Sequence, residues 1–194
     1  MNVTILLGSP RKEGNTNALL KPFLEELQAA GNQVELFRLY DLKLEGCHAC
    51  RSSQLDWANP GCVIQDDMQQ IFHSVMDADL MVLATPIYSW YCTAPMKAAL
   101  DRMVYGMNKF YGEKVGPSIW AGKHLALLLT CGYRPENGTG PFVQGMQRYC
   151  KHSSLIYDGM LAERHLGYGT VFMDDEKEQH ARAFARKLQQ NMLK

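Results

Sequence analysis

The fold is decided by residues 3–17, which read VTILLGSPRKEGNTN. Residues 3–7 are a short apolar run, partly β-branched, which is typical of a strand buried on both faces of a parallel sheet. The turn formers at positions 8–10 end this run, and apolar residues then recur at helical spacing from Thr16 to Ala30. The stretch therefore predicts a buried strand, a polar loop and a helix in direct succession.

The same alternation of strands and helices continues along the chain. Further strands are predicted around Val34, Leu36 and Leu39, and at Leu80–Ala84, His124–Thr130 and Leu155–Leu161. Further helices are predicted at Asp66–Ala78, Ala94–Met103, Pro141–Lys151 and Asp174–Leu193, and a long connection at Lys43–Pro60. Strands that alternate with helices indicate βαβ units with right-handed crossovers. The pattern therefore predicts an α/β fold with helices on both faces of a parallel sheet.

Composition indicates an ordinary globular protein, with 46% hydrophobic and 21% charged residues. A chain of 194 residues suffices for one core, so we predict a single domain spanning 1–194. Basic and acidic residues number 20 each, which argues against a nucleic-acid partner. Met1–Leu7 is too short for a signal peptide, and no apolar run reaches the roughly 18 to 20 residues of a membrane span. We therefore predict a cytoplasmic protein without a membrane partner.

The loop after the first strand predicts an anion site, because it lies at a helix N-terminus. Ser9, Thr16 and Asn17 can donate side-chain hydrogen bonds to phosphate oxygens, and Arg11 can add a charged one. A terminal monophosphate fits best. The alternative is that these side chains only cap the helix.

Two common nucleotide motifs are absent from this loop. Five residues separate Gly8 from Gly14, and no lysine follows, so the loop is not a Walker A motif. Pro10 stands where the dinucleotide-binding motif has its second glycine. A nucleoside triphosphatase is therefore disfavoured.

Three motifs together resemble one protein family. They are Gly8-Ser9-Pro10-Arg11 through Gly14-Asn15-Thr16, the turn Thr85-Pro86-Ile87-Tyr88, and Lys97 with Asp101-Arg102. This set resembles the flavodoxin-like NAD(P)H-dependent FMN reductases, in the branch related to iron–sulfur flavoproteins, over roughly Met1 to Gly132. The resemblance implies a flavodoxin-like three-layer sandwich, a five-stranded parallel sheet in the order 2-1-3-4-5, and FMN as cofactor.

The resemblance also implies which residues contact FMN. Ligands of doubly wound sheets bind beyond the carboxyl ends of the strands, so the loops after strands one, three and four should share one site. The implied contacts are Ser9, Arg11, Asn15, Thr16 and Asn17 for the phosphate, Pro86, Ile87, Tyr88, Ser89 and Trp90 along the isoalloxazine ring, and Thr130, Cys131 and Gly132 as a third wall. Alternatively, Tyr88 and Trp90 pack in a core or a subunit interface, and Cys131 is an inert buried thiol.

Other polar residues near this site receive structural roles. Arg134–Gly140, rich in polar and turn residues, is predicted to be a mobile rim over the substrate face. Lys97, Asp101 and Arg102 are predicted to lie on a solvated helix face with local ion pairs. The six histidines show no metal-binding spacing, so His124 and His165 are interpreted as structural.

Cys47, Cys50 and Cys62 lie where related iron–sulfur flavoproteins carry four cysteine ligands. Only three cysteines are present here, and eleven residues separate Cys50 from Cys62. A four-thiolate cluster would need another ligand, so we predict a clusterless member with reduced thiols and no metal. The alternatives are a metal or cluster on these three cysteines, for which His48 is awkwardly placed, and a redox-active Cys47/Cys50 pair.

The chemistry implied by the resemblance is carried by the cofactor. NAD(P)H would pass a hydride to flavin N5, and the electrons would go to a small-molecule acceptor such as a quinone, a nitro or azo compound, or free flavin. No catalytic side chain is assigned, and a homodimer or tetramer is expected. The alternatives are a flavodoxin-type electron carrier, which the balanced charge disfavours, and a redox sensor.

Overall fold

A computed structural model describes residues 1–167 and 169–192 of the chain. The strands are β1 (Asn2–Leu7), β2 (Gln33–Arg38), β3 (Leu80–Pro86), β4 (His124–Cys131) and β5 (Ile156–Arg164). The helices are α1 (Asn15–Ala29), α2 (Met68–Asp77), α3 (Ala94–Met107), α4 (Pro135–Gly138), α5 (Gly140–Ser153) and α6 (Asp175–Met192). All strands pair in parallel, in the order β2-β1-β3-β4-β5, so the predicted fold class and strand order are confirmed.

The alternation of side chains along each strand builds the three layers. In β1, Val3, Ile5 and Leu7 face one cluster, which contains the apolar sides of α1 and α6. Leu6 faces the opposite cluster, formed with α2, α3 and α5. Because successive strand residues point to opposite faces, a strand covered on both faces is apolar at nearly every position. This requirement explains the nearly uninterrupted apolar runs that predicted β1, β3 and β4, and the buried hydroxyl of Thr4 in β1 is paired with that of Ser74 at 2.6 Å.

The ends of some elements differ from the predicted ones. β2 stops at Arg38, and Leu39 begins a 3₁₀ turn instead. β5 continues past Leu161 to Arg164, because its polar end still pairs with the end of β4. Hydrophobic pattern alone does not reveal such an edge strand. The predicted end of the last helix, Leu193, lies outside the described residues.

The segment predicted to be a mobile rim is largely helical. Pro135 occupies the first turn of α4, where its missing N–H costs nothing. The Thr139 hydroxyl donates to the Pro135 carbonyl oxygen at 2.7 Å and is buried between α4 and α5. The turn-rich composition of this segment therefore reflects a junction of two helices. Within the described part of the chain, no helix has the length and apolar character needed to cross a bilayer.

The charged residues of α3 divide into two environments. Lys97 and Asp101 form the predicted local ion pair at 2.6 Å, half-exposed on the helix surface. The prediction of a solvated face is wrong for Arg102, whose side chain is fully buried and pairs with Asp66 at 2.6 Å. Arg102 also donates to the carbonyl oxygens of Ile64 and Glu45, at 3.1 and 3.3 Å. The guanidinium is buried because the connection between β2 and α2 folds over it.

Candidate flavin site

Loops that follow β1, β3, β4 and β5 meet at the carboxyl edge of the sheet. Backbone hydrogen bonds hold them together: Gly8 N–H donates to Ala84 at 2.8 Å, Ile87 N–H to Thr130 at 2.8 Å, and His165 N–H to Cys131 at 3.0 Å. The structure therefore brings the three predicted loops to one edge, and it adds a fourth loop beyond β5.

The N-terminus of α1 presents free donors on this edge. Its N-cap is Gly14, in extended conformation, and no side chain caps the helix. Among the described residues, the backbone N–H groups of Asn15, Thr16 and Asn17 have no acceptor. A helix N-terminus with uncapped N–H groups is a ready anion site. The alternative in which the loop only caps its helix is therefore wrong.

The side chains of this loop differ in how available they are. Ser9 and Arg11 are at least partly exposed, and the Ser9 hydroxyl engages only the backbone of Arg11, at 3.3 and 3.4 Å. The Asn17 side chain donates to the Lys12 carbonyl at 2.7 Å and accepts from Arg38 at 3.2 Å. Ser9 and Arg11 can thus turn towards an anion, whereas Asn17 already closes the loop.

Thr16 and Thr130 lie beneath the loop and pair with each other. Both are buried, and their hydroxyl oxygens are 2.7 Å apart. The bond joins the first turn of α1 to the end of β4. Both hydroxyls therefore position the loops from below.

A buried hydroxyl pair predicts a specific pattern of stability losses. Thr16→Val or Thr130→Val alone should cost about 1 to 3 kcal/mol of unfolding free energy, because the remaining hydroxyl loses its partner. The double variant should cost less than the sum of the two, since no orphaned hydroxyl remains. Urea unfolding of the four proteins measures this coupling. Strictly additive losses would rule out the pair.

Residues 88–91 form a tight hairpin after β3. Tyr88 and Tyr91 exchange two backbone hydrogen bonds of 2.9 Å, and Ser89 and Trp90 between them have φ angles of 49° and 62°. Both angles are left-handed, which a two-residue hairpin of this kind requires but which usually selects glycine or asparagine. The N–H groups of Ser89 and Trp90 have no acceptor within the described chain. The turn thus offers two free donors at the cost of backbone strain.

The hairpin forms one wall of a cleft of about 360 Å³. The lining residues are Ile87, Tyr88, Ser89, Trp90, Cys131, Gly132, Tyr133, Gly138 and His165. The rings of Trp90 and Tyr133 stack at a centroid distance of 5.9 Å and an interplanar angle of 11°. Both rings remain more than half exposed. Such exposed, ordered aromatic surface suits a flat ligand.

Six of the thirteen predicted contacts line this cleft, and the other seven do not. Pro86 is buried as the last residue of β3, and it does not line the cleft. Cys131 is buried, and burial raises the pKa of its thiol, as expected for an inert cysteine.

Three cleft residues were not predicted as contacts: Tyr133, Gly138 and His165. The His165 ring lies 3.4 Å from the position that a Cβ on Gly132 would take. The signal for His165 was its place directly after β5, since every loop at the carboxyl edge is a candidate. His124, also interpreted as structural, pairs with Asp158 at 2.6 Å.

The cysteines of the connection lie apart from the cleft, and no member of Cys47, Cys50 and Cys62 lines it. In the part of the chain that the structure describes, no three histidine, cysteine or acidic side chains are arranged to hold a metal ion. All six cysteines are free thiols.

Comparison with known proteins agrees with this architecture. An iron–sulfur flavoprotein of Archaeoglobus fulgidus is 37% identical over 120 residues, which cover 61% of this chain and 53% of that protein. The chain thus spans about half the length of this curated relative.

Solved structures with low sequence identity share the fold. A NAD(P)H:quinone oxidoreductase from Methanothermobacter marburgensis has a TM-score of 0.72 at 20% identity, covering 99% of this chain and 98% of that one. An FMN-dependent NADH-azoreductase from Bacillus anthracis, solved in complex with FMN, has a TM-score of 0.68 at 15% identity, covering 97% and 99%.

A family model described as NADPH-dependent FMN reductase matches residues 1–147. The predicted family is thereby confirmed, and with it FMN as the family's cofactor and NAD(P)H as its electron donor. The chain belongs to the NADPH-dependent FMN reductase family.

Proposed function

We propose that the protein is an FMN-dependent NAD(P)H oxidoreductase that reduces a small-molecule acceptor: a quinone, a nitro or azo compound, or free flavin. One observation carries the proposal. An uncapped helix N-terminus and a cleft walled by exposed aromatic rings open on the same edge of the sheet. This edge is where doubly wound folds bind their ligands.

The donors at this edge match the two ends of FMN. Free N–H groups at the start of α1, with Ser9 and Arg11, fit a terminal phosphate. The Tyr88–Trp90 turn and Gly132 fit the two sides of a flat ring, and the free amides of Ser89 and Trp90 fit its polar edge. When bound, FMN supplies the N5 atom that takes a hydride from the nicotinamide. The Tyr88–Trp90 turn and Gly132 would hold and orient the ring, and Thr16, Thr130 and Asn17 keep the loops in place.

The comparisons support the chemistry only in outline. The quinone oxidoreductase and the azoreductase share the fold at 20% identity or less, so they suggest acceptors without identifying one. The Archaeoglobus relative is named an iron–sulfur flavoprotein. A cluster does not fit this chain, because the connection offers three cysteines where four thiolates are needed.

We also propose a domain organisation, an oligomeric state and a location for the protein. One domain over 1–194, a homodimer or tetramer, and a cytoplasmic location remain our expectations. The rings of Tyr88, Trp90 and Tyr133 are exposed. Exposed aromatic surface of this kind supports an oligomer in which a partner subunit covers part of it.

The competing function is electron transfer between proteins without turnover of nicotinamide. Equal acidic and basic counts argue against it, since such carriers dock through a strongly acidic surface. The experiment is a titration of the purified protein with FMN, followed by steady-state oxidation of NADH and NADPH with a quinone acceptor. Turnover that requires FMN supports the enzyme. Tight FMN binding without turnover would favour the carrier, and absence of FMN binding would end both proposals.

Trp90 should contribute to the flavin ring site without stabilising the protein itself. Trp90→Gly should weaken the binding of FMN and of riboflavin by about tenfold, since an aromatic stack contributes about 1 kcal/mol. The unfolding free energy should change little, because glycine relieves the left-handed strain at this position while the stack with Tyr133 is lost. Fluorescence titration and urea unfolding measure the two quantities.

The control for this variant is Tyr40→Ala, which removes an exposed aromatic ring outside the cleft. Its affinity for both flavins should equal that of the wild type. If Trp90→Gly weakens only FMN, the ring does not lie on Trp90.

A further inference from the structure

Three cysteines converge on a second, much smaller pocket of about 20 Å³. Cys47, Cys50 and Cys62 all line it, together with Arg102 from the middle of α3. No residue of this pocket lines the aromatic cleft. The pocket is therefore a separate feature, built by the connection between β2 and α2.

A buried lysine draws the two ends of the loop 51–61 together. The Lys109 ammonium donates to the carbonyl oxygens of Ser53 and Asn59, both at 2.9 Å, and it is 1% exposed. Lys109 therefore holds the chain around Ser53 close to the chain around Asn59. Cys50 lies three residues before Ser53 and Cys62 three residues after Asn59, which explains how residues twelve positions apart come to share one pocket.

Arg102 leaves one donor of this pocket without a partner. Its two terminal nitrogens bind Asp66, Ile64 and Glu45, whereas its Nε, fully buried, has no hydrogen-bond partner among the described residues. A buried unpaired donor is costly and calls for an acceptor. Cys62 and Arg102 both line the pocket. Arg102 therefore brings a cationic group with one unpaired donor to the wall that also holds the cysteines, which suits thiolate sulfur better than a metal cation.

The three cysteines of the pocket differ in exposure from the remaining ones. Cys50 is exposed, and hydrogen bonds from the side chain and backbone of Ser52 lower the pKa of its thiol. Cys92 and Cys150 are buried, and burial raises the pKa of each to about 12. The attacking form of cysteine is the thiolate, and Cys50 is the most exposed of the three, so it is the candidate nucleophile of the pocket.

We propose that Cys50 and Cys62 form a redox-active dithiol that reduces small-molecule disulfides. The Cys50 sulfur attacks one sulfur of the disulfide, whose S–S bond breaks, and the first small thiol leaves with a proton. The Cys62 sulfur then attacks Cys50, forms the Cys50–Cys62 bond and releases the second small thiol. Two electrons thus pass from two protein thiols to the disulfide. This activity is independent of flavin binding.

The test uses the reduced full-length protein with excess 2-hydroxyethyl disulfide, followed by acid quenching, alkylation and peptide mass mapping. The wild type should lose two thiols, release two equivalents of mercaptoethanol and contain a Cys50–Cys62 crosslink. Cys62→Ser should stop at a mixed disulfide on Cys50, and Cys50→Ser should react at least tenfold more slowly. Cys47→Ser is the matched control, and it should form the crosslink as the wild type does.

The mapping of the wild type decides the proposal even if a variant folds poorly. A Cys47–Cys50 crosslink would replace the proposed pair by its neighbour and overturn the assignment. A wild type that keeps all its thiols, or a folded Cys50→Ser that reacts as fast as the wild type, would overturn the redox activity itself.

Discussion

Arg102→Met is expected to lower the unfolding free energy by about 3 to 5 kcal/mol, which is the usual loss when one partner of a buried ion pair is removed. Methionine fills much of the space but leaves the Asp66 carboxylate, 11% exposed, without its cation. The carbonyl oxygens of Ile64 and Glu45 lose donors as well. Urea unfolding measures the loss. The matched control is Lys97→Met on the same helix, whose exposed pair with Asp101 should contribute less than about 1 kcal/mol.

The same pair predicts how stability depends on pH. Burial acts to raise the pKa of Asp66, but hydrogen bonds from Arg102, Glu45 and Met68 outweigh burial and lower it below the ordinary value of 3.8. A depressed pKa stabilises the folded state above the unfolded pKa, and this contribution is lost as the pH falls through the folded pKa. In Arg102→Met the acid-induced loss should therefore be smaller. Equal pH profiles and equal losses for both methionine variants would contradict this account of the ion pair.

Ser9→Asp should weaken FMN binding by roughly a hundredfold while it leaves riboflavin binding nearly unchanged. An added carboxylate about 5 Å from the phosphate repels it by about 3 kcal/mol at an effective dielectric constant near 20. Riboflavin has no phosphate and so feels no such repulsion. Ser9 is only partly buried and engages only the adjacent backbone, so the variant should fold normally. Flavin fluorescence titrations give both affinities.

Ser9→Asn is the matched variant for this experiment, because it has nearly the shape of aspartate without the charge. It should bind FMN within a few-fold of the wild type. An equal loss of FMN and riboflavin in Ser9→Asp would mean that the phosphate lies elsewhere and that the loop acts on the ring instead.

The elements of the sheet were predictable because their signals are local. Each apolar run or helical periodicity is contained within about ten or fifteen consecutive residues. The composition of the loop after β1 likewise predicts an anion site without reference to the rest of the chain. Arg102 shows the limit of this reasoning. Its place beside Asp101 on a predicted helix favoured a solvated face, but its partner Asp66 lies 36 residues away and becomes visible only when the connection folds over α3.

The details of the flavin cleft depend on two further non-local effects. Ser89 and Trp90 adopt left-handed backbone against their own preferences, since the bonds between Tyr88 and Tyr91 close the turn. The stack of Trp90 on Tyr133 joins loops from different strands. Lys109 is a comparable case, because its sequence context resembles that of any surface lysine. The individual FMN contacts remain predictions, and the two titrations test them.

If FMN binds as proposed, the missing cap of α1 makes the stability of the protein depend on the supply of its cofactor. A helix whose N-cap is a glycine, here Gly14, rather than a residue with a capping side chain gives up roughly a few tenths of a kcal/mol at its first turn. A phosphate held by the N–H groups of Asn15, Thr16 and Asn17 would restore this loss, and any ligand of the folded state adds stability with its concentration. We therefore expect these three amides to exchange hydrogen fastest in flavin-poor protein, and cells short of riboflavin to degrade the chain sooner.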